Sequence, residues 1–384
     1  MNITLQPAVL RWARLRAGLS EAELGKRLTT GEERVKQWET DGEISYKRAE
    51  KLAASTHTPF GYLFLAMPPE ERLPIPDLRT VGSQALARPS PDLLDVIYQS
   101  QRRQEWFREH QIAEDAEKLA FVGSTPVGSS VKDAAAAIRS VLRFHPSESL
   151  ETQLDGVLRD FCEAVEAAGI LVVRTGTVGN NTRRTLKAEE FRGFALVDDY
   201  APLVLVNAAD FKAAQIFTLA HELAHIWAGE PALSNLENSL VPEQARVEWF
   251  CNAVAAEYLI PLEDLKARLK EMPETPAQSM AALRRHYRVS DLVVIRRLHD
   301  AGEISREEFK TWYEKALNDY ASLPKSAGGD FYRNQPNKLG RRFAGALIAS
   351  TLEGKTLYRD AMALLDLKKL ATFQEVARNL NFTL

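Results

Sequence analysis

The chain has 384 residues, of which 45% are hydrophobic and 26% are charged, and its formal net charge is −3. The composition is that of a globular protein of roughly two to four domains, and the near-neutral charge excludes one that coats nucleic acid or anionic membrane as a whole. Cys162 and Cys251 make no disulfide framework, and no apolar window approaches the roughly 20 residues that span a bilayer. Two free thiols and the lack of a signal-peptide pattern lead us to expect a soluble cytoplasmic protein.

Residues 1–67 are predicted to form a small helical domain. Ser20 and Glu23 make an S-x-x-E capping box at the start of a second helix, and helical apolar spacing follows. A third helix is expected to pack on the core through Trp38, ahead of a turn at Gly42. This pattern resembles a helix-turn-helix of the Cro/repressor (XRE-like) type, with one extra residue before that glycine.

DNA recognition by such a domain needs cationic side chains at the start of its third helix. Arg34 and Lys36 are the candidate DNA-binding residues, but Glu32 and Glu33 begin the same helix and repel phosphate. Residues 1–66 contain ten Lys or Arg against eight Asp or Glu, a net charge of only +2. Operator binding with autoregulation therefore stays open beside a second interpretation, a fold kept for protein contacts or dimerisation.

Residues 68–145 are expected to hold an extended connector followed by helices. The segment 68–80 contains four prolines, which favour extended backbone. A helical pattern begins at Pro91 and is interrupted by the turn-rich segment GSTPVGSS at 123–130. The connector thus separates the N-terminal domain from the rest of the chain.

The strand signals of the chain are concentrated in a third predicted domain, residues 146–265. Short apolar runs bounded by polar turn residues predict strands, and the second and third of them flank Asp-Asp-Tyr-Ala-Pro as in a hairpin. The predicted elements are strands at 170–173, 193–197 and 203–206 and helices at about 209–228 and 242–260.

The first of these helices carries His221-Glu222-Leu223-Ala224-His225, an HExxH motif within the apolar run FTLAHELAHIWAG. Residues four apart on a helix share a face, so both imidazoles can bind one metal ion while Glu222 lies beside it. Zinc held by two His and one carboxylate keeps a fourth position for water, from which a neighbouring carboxylate can take a proton. The motif predicts a zinc hydrolase with His221 and His225 as ligands and Glu222 as catalytic base.

The third zinc ligand is sought among the acidic residues of the next helix. At about 100° per residue, Glu248 shares a face with Asn252, whereas Glu257 falls on the opposite side and Glu243 lies well off that face. Glu248 is therefore the predicted ligand, and Asn252 is predicted to hold a ligand in place. Cys251 is interpreted as small core filler and Glu257 as structural.

HELAHIWAG and EWFCNAVAAEYLIP resemble the ImmA/IrrE metallopeptidases, as do the hairpin before them and LPIPDLRT in the connector, over about residues 70–262. The resemblance implies that His221, His225 and Glu248 bind zinc and that Glu222 is the general base. Known members of that family are site-specific endopeptidases that cut transcriptional repressors. The resemblance therefore implies a regulatory protein as substrate.

Two further features of the site are predicted, the oxyanion donor and the substrate-binding strand. The donor that would stabilise the oxyanion is left open among Arg183, Arg184 and Tyr258. Residues 194–196 are interpreted as an edge strand near the metal, to which an extended substrate segment could add.

Residues 266–384 are predicted to form a helical C-terminal domain, with Ser290 and Ser305 as N-caps and a loop at 323–330. We assign them no chemical role and expect a surface for a partner or for self-association. The fold class is therefore α+β and predominantly α-helical. It combines the helix-turn-helix domain, a zincin-like domain with a small antiparallel sheet, and the helical C-terminal domain.

The preferred function is a zinc endopeptidase with a helix-turn-helix module for DNA or protein contact. The alternative is an antitoxin-like regulatory protein with a structural or vestigial metal site, because a Cro-like module fused to an ImmA/IrrE-like domain resembles components of toxin–antitoxin pairs. A plain transcriptional repressor is the third interpretation. The expected partner is a protein, either a repressor or a co-encoded toxin; operator DNA and a second copy of the chain are further candidates, and no membrane is expected.

Overall fold

The computed structural model describes residues 1–71, 75, 89–234, 242–272, 275–321 and 338–383, and it confirms a predominantly helical α+β protein. The described residues of Met1–Pro74 and Leu86–Ile97 form one compact unit, and those of Ile75–Ala85 and Tyr98–Leu384 form another. Most of the proline-rich segment 68–80 and the loop predicted at 323–330 lie outside the described residues. Within the described part of the chain, no helix is long and apolar enough to cross a bilayer.

The N-terminal unit combines short helices with a two-stranded sheet. Its elements include β1 (Asn2–Thr4), α1 (Pro7–Arg16), α2 (Glu21–Arg27), α3 (Glu32–Asp41), β2 (Glu43–Ser45), α4 (Tyr46–Thr56) and a 3-10 turn (Phe60–Phe64). The predicted capping box is present: the Ser20 side chain accepts from the Glu23 amide, and the Glu23 carboxylate accepts from the Ser20 amide at 2.8 Å. Trp38 is buried in the core of this unit, as predicted, and Leu24 and Val35 are buried with it.

Two glycines let the helices of this unit pack closely. A Cβ on Gly25 would lie 3.1 Å from the Thr30 carbonyl oxygen, where the chain passes from α2 to α3. Gly42 ends α3 with a φ of 74°, and a Cβ there would lie 2.0 Å from the Leu5 carbonyl oxygen. The left-handed conformation and the close approach both require glycine at this turn. The pair α2–α3 is therefore two helices joined by a short, tightly packed turn.

The described residues of the second unit are mainly helical and contain one sheet. Their helices include the C-terminal part of α5 (Pro91–Ala113), α6 (Val131–Leu142), α7 (Leu154–Ala167), α8 (Lys212–Ala228), α9 (Pro242–Leu259), α10 (Leu262–Glu271), α11 (Pro276–Tyr287), α12 (Asp291–Asp300), α13 (Arg306–Ala321), α14 (Arg341–Leu352), α15 (Tyr358–Leu364) and α16 (Leu370–Asn379). Its strands are β3 (Leu171–Thr175), β4 (Gly193–Leu196), β5 (Leu203–Asn207) and β6 (Ala232–Ser234). Ser290 and Ser305 cap the N-termini of α12 and α13, as predicted.

The strands of this sheet pair in the order β3-β5-β4-β6. The predicted hairpin is confirmed, because β4 and β5 are antiparallel with Phe194 opposite Leu205. The sheet is mixed rather than wholly antiparallel, since β3 runs parallel to β5. The prediction that residues 194–196 form an edge strand is wrong: β6 pairs with β4 on its other side, with Phe194 opposite Leu233.

The helix α8, with the HExxH motif, packs on β4, β5 and α9. Leu219, Leu223 and Ile226 are fully buried in the core that α8 shares with the sheet and with α9. Burial of such a side chain contributes about 1.5–3 kcal/mol to folding, so the metal-binding helix is strongly held in place. It ends at Gly229, whose φ of 75° is the left-handed conformation that commonly terminates helices.

The C-terminal segment 338–383 packs on the same unit through buried polar contacts. Arg103, a buried residue of α5, forms an ion pair with the half-buried Asp366 at 2.6 Å. The Glu166 carboxylate near the end of α7 accepts hydrogen bonds from two amides at the start of α14, including that of Arg342 at 3.1 Å. Buried polar groups are costly unless they are paired, so these contacts fix where the segment docks.

Candidate metal centre

The HExxH side chains lie on the buried side of α8. His221, Glu222 and His225 each expose 0% of their surface. The Nε2 atoms of His221 and His225 lie 3.1 Å apart, because residues four apart occupy successive turns of one helix face. The two imidazoles thus point their ring nitrogens at a common position.

Glu248 of α9 completes this group, as predicted. Its Oε2 lies 3.4 Å from the Nε2 of His221, and its Oε1 lies 3.3 Å from the Nε2 of His225. The side chain is almost fully buried, and α9 packs directly against α8. The structure therefore brings two nitrogen donors and one carboxylate together at a single point in the interior.

The donor set and its spacing fit a zinc ion. Two His and one acidic residue are a ligand set of catalytic zinc sites, in which a fourth position stays open. Donors bound at about 2.0–2.1 Å around a tetrahedral ion are separated by about 3.3–3.4 Å. The three observed separations, 3.1, 3.3 and 3.4 Å, lie close to this value. His221, His225 and Glu248 are therefore the residues that would hold the ion.

A backbone contact orients the ring of His225. Its Nδ1 lies 3.0 Å from the Glu230 carbonyl oxygen, which accepts a hydrogen bond from the protonated Nδ1. The Nε2 atom then keeps its lone pair toward His221 and Glu248, as a metal ligand requires. Burial lowers the pKa of His225, which favours the neutral ring.

The charge of Glu248 suits a metal ligand. Burial alone would raise the pKa of this carboxyl group, but the neighbouring His221 and His225 outweigh burial and hold the pKa below its ordinary value. The carboxylate is therefore ionised at neutral pH and brings negative charge to the centre. This charge would offset part of the charge of a divalent cation.

Glu222 lies beside this group, with both carboxylate oxygens shielded from solvent. Gly193 of β4 is its close neighbour, since a Cβ on that glycine would lie 2.8 Å from Glu222 Oε1. Sequence reasoning missed both Gly193 and the Glu230 carbonyl. A glycine inside an apolar strand pattern signals a close approach by another group, and that signal was present at Gly193.

Roles were also predicted for three further residues of α9, and the structure places them in different surroundings. Cys251 is fully buried, and burial raises its pKa well above the ordinary value, as expected for core filler. Glu257 forms an ion pair with Arg297 and accepts from the Leu262 amide, which agrees with a structural role. Asn252 is half-buried one turn after Glu248, and its proposed supporting role stays a prediction.

The residues considered for oxyanion stabilisation are one tyrosine of α9 and two arginines of a loop. The Tyr258 hydroxyl donates to the Phe144 carbonyl at 2.7 Å, so its proton is already engaged in a hydrogen bond to the backbone. Arg183 is exposed and Arg184 half-buried in the loop between β3 and β4. The oxyanion donor stays unassigned.

Among the other histidines, His145 is buried and caps a short 3-10 turn by accepting from the Ser147 amide. In the N-terminal unit, Lys36 lies 2.7 Å from Glu32 and 3.1 Å from Glu33. One of the two predicted DNA-binding cations is therefore already paired within its own helix. Binding of DNA by Arg34 and Lys36 stays a prediction.

Comparison with known families supports part of this picture. Residues 165–299 match the family model of the IrrE N-terminal-like domain, peptidase family M78, and all residues of the metal centre fall within that range. Residues 339–379 match DUF8813, a domain of unknown function. No curated protein matches the chain. The resemblance to ImmA/IrrE metallopeptidases is thus supported for residues 165–299, and neither match covers the N-terminal unit.

Proposed function

We propose that the chain is a zinc-dependent endopeptidase that hydrolyses a peptide bond in a regulatory protein such as a transcriptional repressor. The observation that carries this proposal is the buried cluster of His221, His225 and Glu248, with Glu222 beside it on α8. The cluster lies in a region that matches a peptidase family. A charged cluster costs folding energy in a protein interior, so its presence there favours a functional role.

The residues of the centre have different roles in the proposed hydrolysis. Zinc, when bound, would supply Lewis acidity and lower the pKa of a bound water to about 7. Glu222 takes a proton from the attacking water as the water oxygen bonds to the scissile carbonyl carbon. Glu222 then gives this proton to the amide nitrogen as the carbon–nitrogen bond breaks. His221 and His225 keep neutral rings with Nε2 toward the centre, and Glu248 keeps its carboxylate there, throughout the reaction.

The outer edge of β6 replaces residues 194–196 as the proposed docking place for substrate. β6 is the terminal strand of the described sheet and follows α8 directly after the turn at Gly229. An extended peptide could add to this edge by backbone hydrogen bonds. Such pairing selects flexible segments, which would restrict cleavage to few proteins.

The proposal is tested by zinc analysis and peptide hydrolysis on the full chain. We expect stoichiometric zinc by elemental analysis and cleavage of some members of a mixed peptide pool, followed by mass spectrometry. Glu222→Gln should keep its zinc and hydrolyse at least about 100-fold more slowly. Glu263→Gln, an exposed acid on α10, is the matched control and should behave as wild type. Hydrolysis by Glu222→Gln at the wild-type rate would rule out the proposed base.

The burial of the centre supports a second candidate function. Each of the four residues exposes at most 2% of its surface, so a protein substrate requires the site to open. In the alternative, the metal site is structural or vestigial, and the chain acts as an antitoxin-like partner of a co-encoded toxin with helix-turn-helix autoregulation. Glu222→Gln separates the two functions in a growth assay beside that toxin. Full rescue by the variant favours the antitoxin, and loss of rescue favours the peptidase.

A further inference from the structure

Gly193, the first residue of β4, lies against the carboxylate of Glu222. A Cβ added to Gly193 would be 2.6 Å from Thr218 Cγ2, 2.8 Å from Glu222 Oε1 and 2.8 Å from the Leu205 carbonyl oxygen. Favourable contacts between carbon atoms lie at about 3.5–4.0 Å, so a side chain at this position does not fit without displacement of a neighbour. The backbone of β4 therefore forms one wall of the pocket that holds Glu222.

Backbone conformation does not explain this glycine. Gly193 lies in a regular strand, opposite Val206 of β5 and Ser234 of β6, and it is not among the glycines with positive φ. Any residue could adopt this backbone. Glycine weakens a strand interior and marks a close approach by another group. The approaching groups are the Leu205 carbonyl oxygen of the neighbouring strand and, from α8, Thr218 and Glu222, which lie one turn apart.

We propose that Gly193 is a positioning residue for Glu222. The missing side chain admits the carboxylate against β4, and this wall together with the Thr218 methyl group holds the carboxylate at one distance from the metal centre. A general base must lie within about 2.6–3.2 Å of the proton that it abstracts. A displacement of about 1 Å costs about 100-fold in rate. This inference rests on the proposed function, since it takes Glu222 to be the base.

The first test uses Co²⁺ alone as a probe and needs no substrate. The visible spectrum of bound Co²⁺ responds to its ligands and to groups near its open position. Gly193→Ala should bind Co²⁺ with wild-type stoichiometry and shift the spectrum toward that of Glu222→Gln. In a Glu222→Gln background, Gly193→Ala should change nothing further. An equal change in both backgrounds, or no change in either, would overturn the inference.

The second test is a double-mutant cycle in peptide hydrolysis with the same peptide pool. Gly193→Ala should lower kcat by about 100-fold and leave KM nearly unchanged, because Glu222 moves while the substrate surface stays. The residual rate of Glu222→Gln should not fall further when Gly193→Ala is added. A further fall of similar size would show a general structural effect and overturn the inference.

Two further variants control for folding. Gly176→Ala introduces a Cβ 3.2 Å from the Ala209 backbone nitrogen without contact to Glu222, and it should keep the wild-type Co²⁺ spectrum. Where Gly193→Ala fails to fold, Gly193→Ala/Thr218→Ser removes the nearest clashing atom and takes its place. The Thr218 hydroxyl makes no hydrogen bond within the described residues, so serine loses none. A wild-type chain that binds no Co²⁺ would overturn the proposed function itself, whereas binding without the expected coupling overturns only the role of Gly193.

Discussion

Glu248 reaches the metal centre from α9, whereas both imidazoles come from α8, so it tests whether the two helices together hold the ion. Glu248→Gln keeps the shape of the side chain and removes its charge. We expect zinc affinity to fall by at least about 100-fold, the upper range for loss of supporting groups around a zinc site. Competition with a chromophoric chelator measures the affinity. Glu263→Gln controls for the loss of one negative charge, and unchanged affinity of Glu248→Gln would exclude Glu248 as a ligand.

His145 gives a pH dependence of stability that is independent of the metal. Burial is the main cause that lowers the pKa of His145 to about 4, and the charge of Arg139 adds to it. The Nε2–H donates to the Tyr258 carbonyl at 2.8 Å while Nδ1 accepts, so the folded protein needs the neutral ring. The unfolded chain binds a proton near pH 6.5 and the folded chain near pH 4. The contribution of this ring to stability is complete above about pH 6.5, and up to about 3 kcal/mol is lost as pH falls to 4.

His145→Gln should flatten this pH dependence. The amide can still donate to the Tyr258 carbonyl but does not titrate. Urea unfolding at pH 7.5 and pH 4.5, with a zinc chelator present, should show a smaller loss of stability in the variant than in wild type. The metal ligands titrate equally in both proteins, so the difference isolates His145. An equal loss in the two proteins would show that protonation of His145 does not cause the loss of stability at acid pH.

At the scale of single residues, the sequence predicted those parts of the site that depend on helix periodicity. The HExxH spacing places His221 and His225 on one face, and a rotation of about 100° per residue singled out Glu248. The roles of Gly193 and of the Glu230 carbonyl depend on distances between separate elements. No local pattern contains such distances, and only the packed structure shows them.

At the scale of elements, Glu166 links α7 to α14 and makes this contact sensitive to pH. Burial raises the pKa of Glu166 to about 7, although the amides and charges of Arg342 and Arg341 pull it down. The folded chain therefore holds a proton between about pH 4.5 and 7 that the unfolded chain has released. Stability falls as pH rises through this window, by up to about 3 kcal/mol.

Glu166→Gln should abolish this loss, because the side chain carries no charge and its amide oxygen still accepts one of the two hydrogen bonds from the start of α14. We expect the variant to be more stable than wild type at pH 8 and equal to it at pH 4.5, measured by urea unfolding. Glu163→Gln, an exposed acid on the same helix, is the control and should change neither value. Greater stability of wild type at pH 8 would contradict the sign of this effect.

The helix α3 provides a test of the N-terminal unit. Because Lys36 is paired with Glu32 and Glu33, we expect weak DNA binding by the chain as it stands. Glu32→Gln/Glu33→Gln should release Lys36 and strengthen binding to a labelled duplex. The slope of the logarithm of the binding constant against the logarithm of the salt concentration should become steeper by about 0.9. Fluorescence anisotropy at several salt concentrations measures both. Glu43→Gln/Glu50→Gln, which removes two exposed acids outside α3, controls for net charge. An equal gain in that variant would show that the DNA does not bind at α3.

Local sequence patterns predict most strands of the sheet but not all of their pairings. Alternating and apolar patterns located β3, β4 and β5, and the turn residues between β4 and β5 predicted their hairpin. The pairing of β3 with β5 and of β6 with β4 is long-range. β6 has three residues, Ala232–Ser234, too few for a distinct periodic pattern. Residues 194–196 were therefore assigned to an edge that a later strand occupies.

At the scale of the whole molecule, composition and motif spacing predicted a helical N-terminal domain at 1–67, a connector with helices at 68–145, a metal-site domain at 146–265 and a separate helical domain at 266–384. The predicted boundary at 265–266 stays a prediction. In the structure, α10–α13 contribute Leu265, Leu283, Leu298 and Ala316 to the same core as α8 and α9. This shared core joins residues far apart in the chain, and such packing leaves no local sign in the sequence.

Because all three ligands belong to one unit, zinc should stabilise that unit selectively. A ligand that binds only the folded state, at a free concentration of about 100 times its dissociation constant, adds about 2.7 kcal/mol to the free energy of unfolding. We expect calorimetry to show two unfolding transitions. Zinc should raise the midpoint temperature of one of them, and Glu248→Gln should make that transition insensitive to the metal. Leu24→Ala, a fully buried position of the N-terminal core, should lower the other transition through a loss of about 2–5 kcal/mol. If zinc raised the transition that Leu24→Ala lowers, the two units would unfold as one, and the metal would stabilise the N-terminal helices as well.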